Sequence, residues 1–565
     1  MIRTFATHAV RRTQDLSGSG WTFTPLSGEN AGQSYPVVVP CCWETIPGFE
    51  SYRGEGDFER DFEAEGDLRL AFEGVSHTGR VYVDGELLGE HYNAFTPFTC
   101  IARGLKPGTH HLKVTVDNRF SKKSALHVPN DYMTYGGINR GVSLEKLDGA
   151  WIDSLHAVPE KTEDGWKLHA DVRVRSFEAG EDFTLLVQVP GVGSVDTEVT
   201  TDADGRADAD VTISAEGVTE WAPEHPKLYC VHAVLAKSGE QGGTEAIDDL
   251  IERTGFREIR IQGQDILLNG RKLRIKGFCR HEDHPLFGCA LPLAVLQGDL
   301  AIIKDLGGNA VRTTHYPNDE RFLDLCDEQG ILVWEENHAR GLSEEQMRNP
   351  NFEPQEEAVT REMVDAHISH PSIFVWGILN ECASETKYGR ECYAKQYGIL
   401  REMDASRPVS SASCKFFKDI CLDLPDIVSY NLYPEWYVQD KTAQEWVKEN
   451  YDWVQNETKG AGKPFLITEI GAGGIYGFRS QSLDPWTEDY QAEVLDHQLR
   501  AVFGTKGISG VFIWQFADVR VSREWFSNRP RTMNNKGIVD EYRRRKLAYE
   551  SVKKIYKSLG NYFEE

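Results

Sequence analysis

The first part of the chain, residues 1–147, alternates apolar and polar residues over short stretches. Residues 67–73 read Asp-Leu-Arg-Leu-Ala-Phe-Glu, and residues 79–84 read Gly-Arg-Val-Tyr-Val-Asp. A period of two is typical of strands that bury one face. Asp84-Gly85 and Pro107-Gly108 are candidate turns between such strands. The pattern predicts an N-terminal β-sandwich of the jelly-roll kind over residues 1–147.

The same alternation continues over residues 148–255. Residues 166–175 and 183–189 are candidate strands, and Asp202-Ala-Asp-Gly205 is a candidate turn. A β-rich segment of about 100 residues has the size of an immunoglobulin-like sandwich. We therefore expect a second, immunoglobulin-like β-sandwich at residues 148–255.

From residue 256 to residue 565 the pattern changes to short apolar strands that alternate with helices. The candidate strands are 273–278, 310–314, 331–335, 373–379, 409–412, 427–431, 465–469 and 510–516. Candidate helices are 293–306, 319–329, 356–369, 444–454, 487–503 and 544–559. Eight such units in about 300 residues predict a C-terminal (β/α)8 TIM barrel, and the whole chain is then a multidomain protein.

Charge and cysteine usage exclude several function classes. The net charge is −26 and the pI is about 5.2, so a basic nucleic-acid groove is not expected. No leader-like or membrane-spanning apolar run is visible, so we expect no membrane contact. The 11 cysteines show no C-x-x-C spacing, and we expect free thiols in the cytoplasm.

Two glutamates follow apolar strands four and seven of the predicted barrel. Residues 373–381 end in Asn380-Glu381, and residues 465–469 end in Glu469. The carboxyl ends of barrel strands carry the chemistry of this fold, and two carboxylates across one pocket can cleave a glycosidic bond with retention. We assign Glu381 as acid/base and Glu469 as nucleophile, with Asn380 donating to the sugar 2-hydroxyl. Trp376, on strand four, is expected to pack.

A second carboxylate pair, Glu335 and Glu336, ends predicted strand three. Adjacent residues of a strand point to opposite faces, so these two are poor partners for each other. His281 and His284 are a possible but incomplete metal pair, since no third ligand is near in sequence. We expect no metal and no cofactor.

Four segments carry a resemblance to a known family. They are Trp376-Gly-Ile-Leu-Asn-Glu381 and the segments at 276–285, 311–317 and 512–518. Together with the order of sandwich, immunoglobulin-like domain and barrel, they resemble glycoside hydrolase family 2, and within it the β-glucuronidases. The resemblance implies a retaining exo-glycosidase that hydrolyses terminal β-D-glucuronides.

The resemblance also implies a set of substrate-binding residues. Asn534 and Lys536 would bind the sugar carboxylate, as an amide donor and a point charge. Tyr433 would donate a hydrogen bond to the nucleophile. The other implied contacts with the sugar or the pocket are Asp131, His315, Tyr437 and Trp514, while Arg280 and His281 would support the base of the site.

Alternative specificities remain open at this stage. The protein could be a β-galacturonidase, since a galacturonide differs from a glucuronide only in the configuration of the 4-hydroxyl. A β-galactosidase or β-mannosidase of the same family is also compatible with the motifs. A non-catalytic carbohydrate-binding protein is the alternative from another class. The ligand is expected to be a small-molecule or oligosaccharide β-glycoside, and a homo-oligomer is possible by analogy. The connection at residues 339–354 is short, which predicts an open site.

Overall fold

The computed structural model of the protein describes residues 2–238, 244–560 and 562–564. Antiparallel β-sheets make up the N-terminal half, and a closed barrel of eight parallel strands follows. The predicted multidomain architecture with a C-terminal TIM barrel is therefore confirmed. None of the helices in the described ranges has the length and apolar character needed to cross a membrane.

The N-terminal region is built on an antiparallel sheet of eight strands. Its centre is the pair of long strands Glu55–Phe72 and Phe98–Asp117, whose inward residues are apolar. The prediction of a turn at Pro107-Gly108 is wrong. Both residues lie inside the second long strand. The pairing of the two long strands shifts in register near Gly66, so the chain forms a bulge there and not a turn.

The remaining elements of this region are short. The other strands of the large sheet are Thr13–Asp15, Gly18–Pro25, Tyr35–Val39, Thr78–Val83, Glu86–Tyr92 and Val142–Leu147. A smaller sheet joins Cys41–Cys42, Val75–Ser76 and Gly137–Ile138, and a 3-10 helix spans Trp43–Thr45.

Two antiparallel sheets enclose a single apolar core in the next region. The expected turn at residues 202–205 is present, since the amide of Gly205 donates to the carbonyl of Asp202 at 3.1 Å. One sheet contains Ala150–Thr162, Gly165–Ser176 and Arg206–Ala215, and the other Asp182–Val189, Gly193–Thr200, Tyr229–Ser238 and Thr244–Thr254. A small sheet of Ile259–Gln262, Asp265–Leu268 and Arg271–Lys272 leads into the barrel.

The barrel strands are buried along nearly their whole length, which explains why they read as continuous apolar runs. In barrel order they are Ile275–Arg280, Ala310–Thr313, Leu332–Glu336, Ile373–Gly377, Val409–Ser413, Ile427–Asn431, Phe465–Ile470 and Ile508–Ile513. After strand eight, Val519–Arg520 pairs with Met533–Asn534, and a 3-10 helix spans Pro530–Thr532.

The helices around the barrel begin at capping side chains in most cases. They span Leu293–Asp305, Glu320–Gln329, Glu344–Met347, Phe352–His367, Lys387–Met403, Ala443–Glu457, Glu488–Gly504 and Ala548–Ser558. The side chains of Asp319, Ser343, Thr386, Thr442 and Thr487 accept backbone hydrogen bonds at the N-caps. The last helix begins at Ala548, four residues later than expected, because Arg543 has a left-handed φ of 65° and Asp540 accepts the amide of Arg544.

The N-terminal region packs on the mouth of the barrel and brings one of its loops to the site. Arg140 pairs with Glu282 at 2.9 Å, and the Tyr135 hydroxyl donates to Asp283 at 2.7 Å. These contacts fix the segment that carries Asp131. The N-terminal region therefore completes the mouth of the barrel.

Candidate active site

Barrel strands four and seven deliver Glu381 and Glu469 to one cavity of about 300 Å³. Glu469 lies within its strand, whereas Glu381 follows the end of strand four at Gly377. Leu379 and Glu381 both have left-handed φ values, 49° and 56°, and the amide of Glu381 donates to the carbonyl of Ala412 at 2.8 Å. Non-glycine residues held in this region are strained, and such strain is concentrated at functional sites.

Glu469 is buried and held by two donors. Arg312 Nη1 lies 2.9 Å from Oε1, and the Tyr433 hydroxyl donates to Oε2 at 2.6 Å. Burial raises the pKa of Glu469 to about 7, and the charge of Glu381 adds to the rise, against the lowering effects of Arg312 and Tyr433. The expected hydrogen bond between Tyr433 and the assigned nucleophile is present.

Glu381 is more accessible, with a side chain 20% exposed. Asn431 Nδ2 donates to its Oε1 at 3.0 Å, and Arg340 Nη2 lies 3.6 Å from its Oε2. Arg340 also donates to Asn130 Oδ1 at 3.2 Å. The two carboxylates therefore differ in environment, since that of Glu469 is buried and that of Glu381 is partly exposed to solvent.

Arg312 organises the base of the site. Its guanidinium contacts Glu336 at 2.9 and 3.0 Å and Asn380 Oδ1 at 2.8 Å, in addition to Glu469. Glu336 also contacts His315 Nδ1 at 2.8 Å. Glu335 points away from this network to His367 at 3.0 Å, as strand alternation predicts.

Trp514 forms one wall of the cavity, and His315 lies stacked behind it with ring centroids 5.0 Å apart. Two buried nitrogens nearby, His315 Nε2 and Asn380 Nδ2, have no hydrogen-bond partner among the described residues. Buried polar groups are nearly always paired in folded proteins. These two atoms are exceptions, and they lie behind the cavity surface, since neither residue lines the cavity.

One end of the cavity is cationic. Lys536 Nζ donates to the Tyr437 hydroxyl at 2.8 Å, and it lies 5.0 to 5.7 Å from the ring centroids of Tyr433, Trp436 and Tyr437. Although burial acts to raise it, the pKa of Tyr437 is lowered by the ammonium of Lys536. No carboxylate in the described part of the chain forms an ion pair with Lys536.

Asp131 reaches the same end of the cavity from the N-terminal region. It accepts from Arg529 Nε at 3.0 Å and from Asn534 Nδ2 at 3.3 Å. Asn534 is buried behind this contact and does not line the cavity. The structure thus brings the two glutamates, Tyr433, Tyr437, Trp514, Asp131 and Lys536 to the cavity surface, and places His315, Asn380 and Asn534 immediately behind it.

Several cavity residues were not selected from the sequence. They are Arg340, Cys414, Phe416, Asn431, Val438, Phe526 and Arg529. Asn431 had a usable signal, because it is the polar last residue of strand six. Arg340 follows strand three within the connection at 339–354, which also contains the helix Glu344–Met347. Phe526 and Arg529 lie in an irregular loop that gives no periodic signal.

Two basic residues beside the site, Arg280 and His281, make contacts within the protein. His281 Nδ1 lies 3.2 Å from the Tyr316 hydroxyl, and Arg280 pairs with Asp299 at 3.0 Å. The site residues are thus donors and acceptors suited to a sugar, and the arrangement needs no ion for the chemistry of two carboxylates.

A second group with ligand-like spacing, Asp324, Asp327 and His370, lies elsewhere in the barrel. The guanidinium of Arg3 already contacts Asp324 at 2.7 Å, and Asp327 accepts from His370 and from the amide of Ser372. The positive charge of this guanidinium would repel a metal ion bound to the same cluster. We interpret the group as a buried ion-pair network.

The chain was compared with known proteins. The family model described as "Glycosyl hydrolases family 2, TIM barrel domain" matches residues 259–561. A crystal structure of a β-galacturonidase from Eisenbergiella tayi bound to glycerol is 55% identical over 100% of both chains, with a TM-score of 0.96. A structure of β-galacturonidase from that organism bound to galacturonate is 54% identical, again over 100% of both chains, with a TM-score of 0.95.

Among curated proteins, a β-glucuronidase of Streptococcus agalactiae is 25% identical over 98% of this chain and 97% of its own length. The matched family region spans more than half of the chain and contains both glutamates of the cavity. The resemblance seen in the motifs is therefore confirmed, and the chain belongs to glycosyl hydrolase family 2 as a glycoside hydrolase.

Proposed function

We propose that this protein is a retaining exo-β-uronidase that acts on terminal β-D-galacturonides. The main support for the proposal is the environment of Lys536. Its ammonium group lines the cavity and forms no ion pair with a carboxylate of the described residues. In a protein with a net charge of −26, an unpaired cation in the active cavity fits an anionic substrate. The carboxylate of a uronic acid is the group that this position suits.

The choice of epimer is supported by the comparisons. The relatives that are 54 to 55% identical over the full length are β-galacturonidases, whereas the β-glucuronidase of Streptococcus agalactiae is 25% identical. The sequence motifs favour a glucuronide as the substrate, with a galacturonide as the alternative. Identity at this level over the whole chain favours the reverse order.

The side chains at the Lys536 end of the cavity support exo action, which is cleavage of a terminal sugar. Lys536, Tyr437 and the Arg529–Asp131 ion pair occupy that end together. A sugar whose carboxylate reaches Lys536 would lie against this ion pair and the Tyr437 hydroxyl. The substrate is therefore expected to present a terminal, non-reducing uronate.

In the proposed first step, ionised Glu469 attacks the anomeric carbon and the bond to the leaving oxygen breaks. Protonated Glu381 gives its proton to that oxygen, and a glycosyl ester of Glu469 forms. In the second step water attacks the same carbon, passes a proton to Glu381 and releases the carboxylate of Glu469. Two inversions give a product of retained β configuration.

Smaller contacts would orient the sugar. Asn380 Nδ2 and His315 Nε2 are unpaired buried nitrogens behind the cavity base, and ring hydroxyls that reach this base would be their hydrogen-bond partners. Trp514 supplies an apolar face for the sugar ring. Arg312 holds Glu469 and Asn380 in a fixed relation, so that the nucleophile and the hydroxyl contact are positioned together.

The test is a set of initial rates on 4-nitrophenyl β-D-galacturonide, β-D-glucuronide, β-D-galactoside and β-D-mannoside. We expect the highest kcat/KM for the galacturonide. Lys536→Met should lower kcat/KM for the uronides by about 100-fold, as expected for a lost charge-assisted contact. Lys418→Met, at an exposed lysine, is the matched control and should behave as the parent protein.

Each alternative gives a different result in the same assay. A glucuronide preference would leave the uronidase proposal standing with the other epimer. A preference for a neutral sugar, unaffected by Lys536→Met, would overturn the assignment of the lysine. Binding without turnover of any substrate would support the non-catalytic alternative. Proton NMR of the first-formed product would show the β anomer if the mechanism is retaining.

A further inference from the structure

The segment that carries the acid/base residue has an unusual backbone conformation after barrel strand four. Leu379 and Glu381 have left-handed φ values of 49° and 56°, on either side of Asn380. Neither a leucine nor a glutamate adopts this conformation without cost, so contacts from other parts of the chain must hold it. These backbone angles set the direction in which the Glu381 side chain leaves the chain. We call residues 378–382 the acid/base turn.

Two buried side chains bind the backbone of Leu379 inside this turn. Asn337 Oδ1 accepts a hydrogen bond from the Leu379 amide at 3.3 Å, and the Tyr393 hydroxyl donates to the Leu379 carbonyl at 2.6 Å. Asn337 follows strand three, and Tyr393 lies in the helix Lys387–Met403. Both side chains are 1% exposed, and neither lines the cavity. The acid/base turn is therefore held from behind, by residues that do not touch the pocket.

A buried chain of hydrogen bonds fixes the direction of the Asn337 amide. Its Nδ2 donates to Glu356 Oε1 at 2.6 Å and to Thr360 Oγ1 at 2.8 Å. The hydroxyl of Thr360 has one hydrogen, which it donates to Gln396 Oε1 at 2.8 Å, so its oxygen accepts from Asn337. With Nδ2 committed to these two acceptors, Oδ1 of Asn337 faces the amide of Leu379.

Glu356 lies at the far side of this chain of hydrogen bonds. It belongs to the helix Phe352–His367, is fully buried and contacts no cation in the described part of the protein. Burial raises the pKa of Glu356 to about 8, against the lowering effect of the hydrogen bond from Asn337. An apolar residue would serve stability alone at such a position, which indicates a further role for this carboxyl group.

We propose that Asn337 and Tyr393 are positioning residues for the general acid, and that Glu356 sets the orientation of Asn337. By holding Leu379 in its left-handed conformation, they direct the Glu381 carboxyl toward the leaving oxygen. This inference rests on the proposed function, because it takes Glu381 as the proton donor. A misplacement of about 1 Å can cost about 100-fold in rate, so weaker positioning should act first on the transfer of this proton.

The test compares kcat/KM for methyl and dinitrophenyl β-D-galacturonide, because kcat/KM includes the glycosylation step for both. Tyr393→Phe removes the hydroxyl that binds the Leu379 carbonyl and keeps the ring. It should lower kcat/KM about tenfold for the methyl glycoside and less than about twofold for the dinitrophenyl glycoside, since only the former depends on a proton from Glu381. Asn337→Ala should produce the same pattern with a larger loss, about 10- to 100-fold on the methyl glycoside.

Tyr397→Phe is the matched control. Tyr397 lies on the next turn of the same helix, is also 1% exposed and donates to the side chain of Ser411 at 2.8 Å. The variant removes a buried hydroxyl of the same kind without changing a bond to the acid/base turn. The ratio of the two kcat/KM values should therefore equal that of the parent protein.

The role of Glu356 is tested by a pair of variants. Glu356→Leu removes the acceptor for Asn337 and should show the loss that is selective for the methyl glycoside. Glu356→Gln keeps an acceptor oxygen, so it should restore most of the lost rate. If the leucine and glutamine variants have the same ratio of kcat/KM values, Glu356 does not set the orientation of Asn337.

Equal losses on both glycosides in Tyr393→Phe would overturn the positioning role, and so would a loss in Tyr397→Phe with the same selectivity. Tyr393→Phe changes one atom, which keeps the test valid if Asn337→Ala does not fold. The proposed function fails separately. If Glu381→Gln itself shows no difference between the two leaving groups, the assignment of the acid is wrong. If the parent protein cleaves another sugar, the same two leaving groups are compared on that sugar.

Discussion

The hydroxyl of Tyr433 donates a hydrogen bond of 2.6 Å to Oε2 of Glu469. This bond stabilises the charged carboxylate, in a position where burial raises the pKa of Glu469 to about 7. Tyr433 follows the end of strand six and Glu469 lies in strand seven, so the contact couples neighbouring strand ends.

The first prediction concerns the pH dependence of kcat/KM. Only ionised Glu469 attacks, so kcat/KM should fall as the pH drops through about 7. Tyr433→Phe removes a donor to the charged form, which raises the pKa of Glu469 and moves the acid limb to higher pH. A hydrogen bond to a charged group is worth about 1.5 to 3 kcal/mol, which corresponds to a shift of about one unit or more.

The measurement is a pH profile of kcat/KM for both proteins on one aryl substrate. Tyr35→Phe, in the N-terminal sheet, is a suitable control because, among the residues that the structure describes, its hydroxyl donates a hydrogen bond only to Gln33. An acid limb that stays in place in Tyr433→Phe would show that another group titrates there.

The second prediction separates the two glutamates by leaving group. Glu381→Gln cannot donate a proton, so cleavage of a methyl glycoside should fall by about 100- to 10,000-fold, the range for general acid catalysis. A dinitrophenyl glycoside needs little protonation and should lose much less in the glycosylation step. Glu469→Gln should reduce both substrates severely, because the nucleophile is required whatever group departs. Similar losses for both substrates in Glu381→Gln would contradict its assignment as the acid.

The third prediction concerns the aromatic surroundings of Lys536. The ammonium lies 5.6 Å from the ring centroid of Trp436, and such contacts are worth about 0.5 to 2 kcal/mol. Trp436→Leu should raise the KM for the uronide about three- to tenfold, and Trp436→Phe should restore part of the affinity. The measurement compares the inhibition constants of free galacturonate and of galactose in the parent protein and in Trp436→Leu. Inhibition by galacturonate should weaken and inhibition by galactose should not. Equal weakening of both would indicate a general loss of structure.

The fourth prediction concerns acid stability. His77, His127 and His338 pack against one another between the N-terminal region and the barrel, with ring centroids 4.4 Å apart in each successive pair. Burial lowers the pKa of His77 and of His338 to about 4. The unfolded chain binds protons below about pH 6.5 whereas these folded residues do not, so stability should decrease as the pH falls from 6.5 toward 4.

Urea unfolding at pH 7.5 and pH 5 measures this effect, which is of the order of 2 kcal/mol for one such histidine at pH 5. His338→Gln should reduce the loss of stability between the two values. His225→Gln, at an exposed histidine, is the control and should keep it. A loss that is unchanged in His338→Gln would place the acid sensitivity elsewhere.

Much of the barrel could be predicted from local pattern. Strands buried on both faces must be apolar along their length, so residues 465–469 and 427–431 are visible without any structure. A carboxylate at the end of such a run is conspicuous, which is why Glu469 could be selected. The prediction of a turn at Pro107-Gly108 failed because it used local turn propensity alone. Pairing with a strand distant in sequence overrides that propensity.

The sequence by itself determined the fold class, the family and the pair of glutamates, since these depend on periodicity and on short motifs. Tertiary structure decided what surrounds them. Arg340, Phe416 and Arg529 come from loops after different strands and carry no periodic signal. Their proximity depends on closure of the barrel and on docking of the N-terminal region, which bring residues far apart in sequence to one cavity. The pKa of Glu469 was likewise out of reach, because burial and charges from other strands set it.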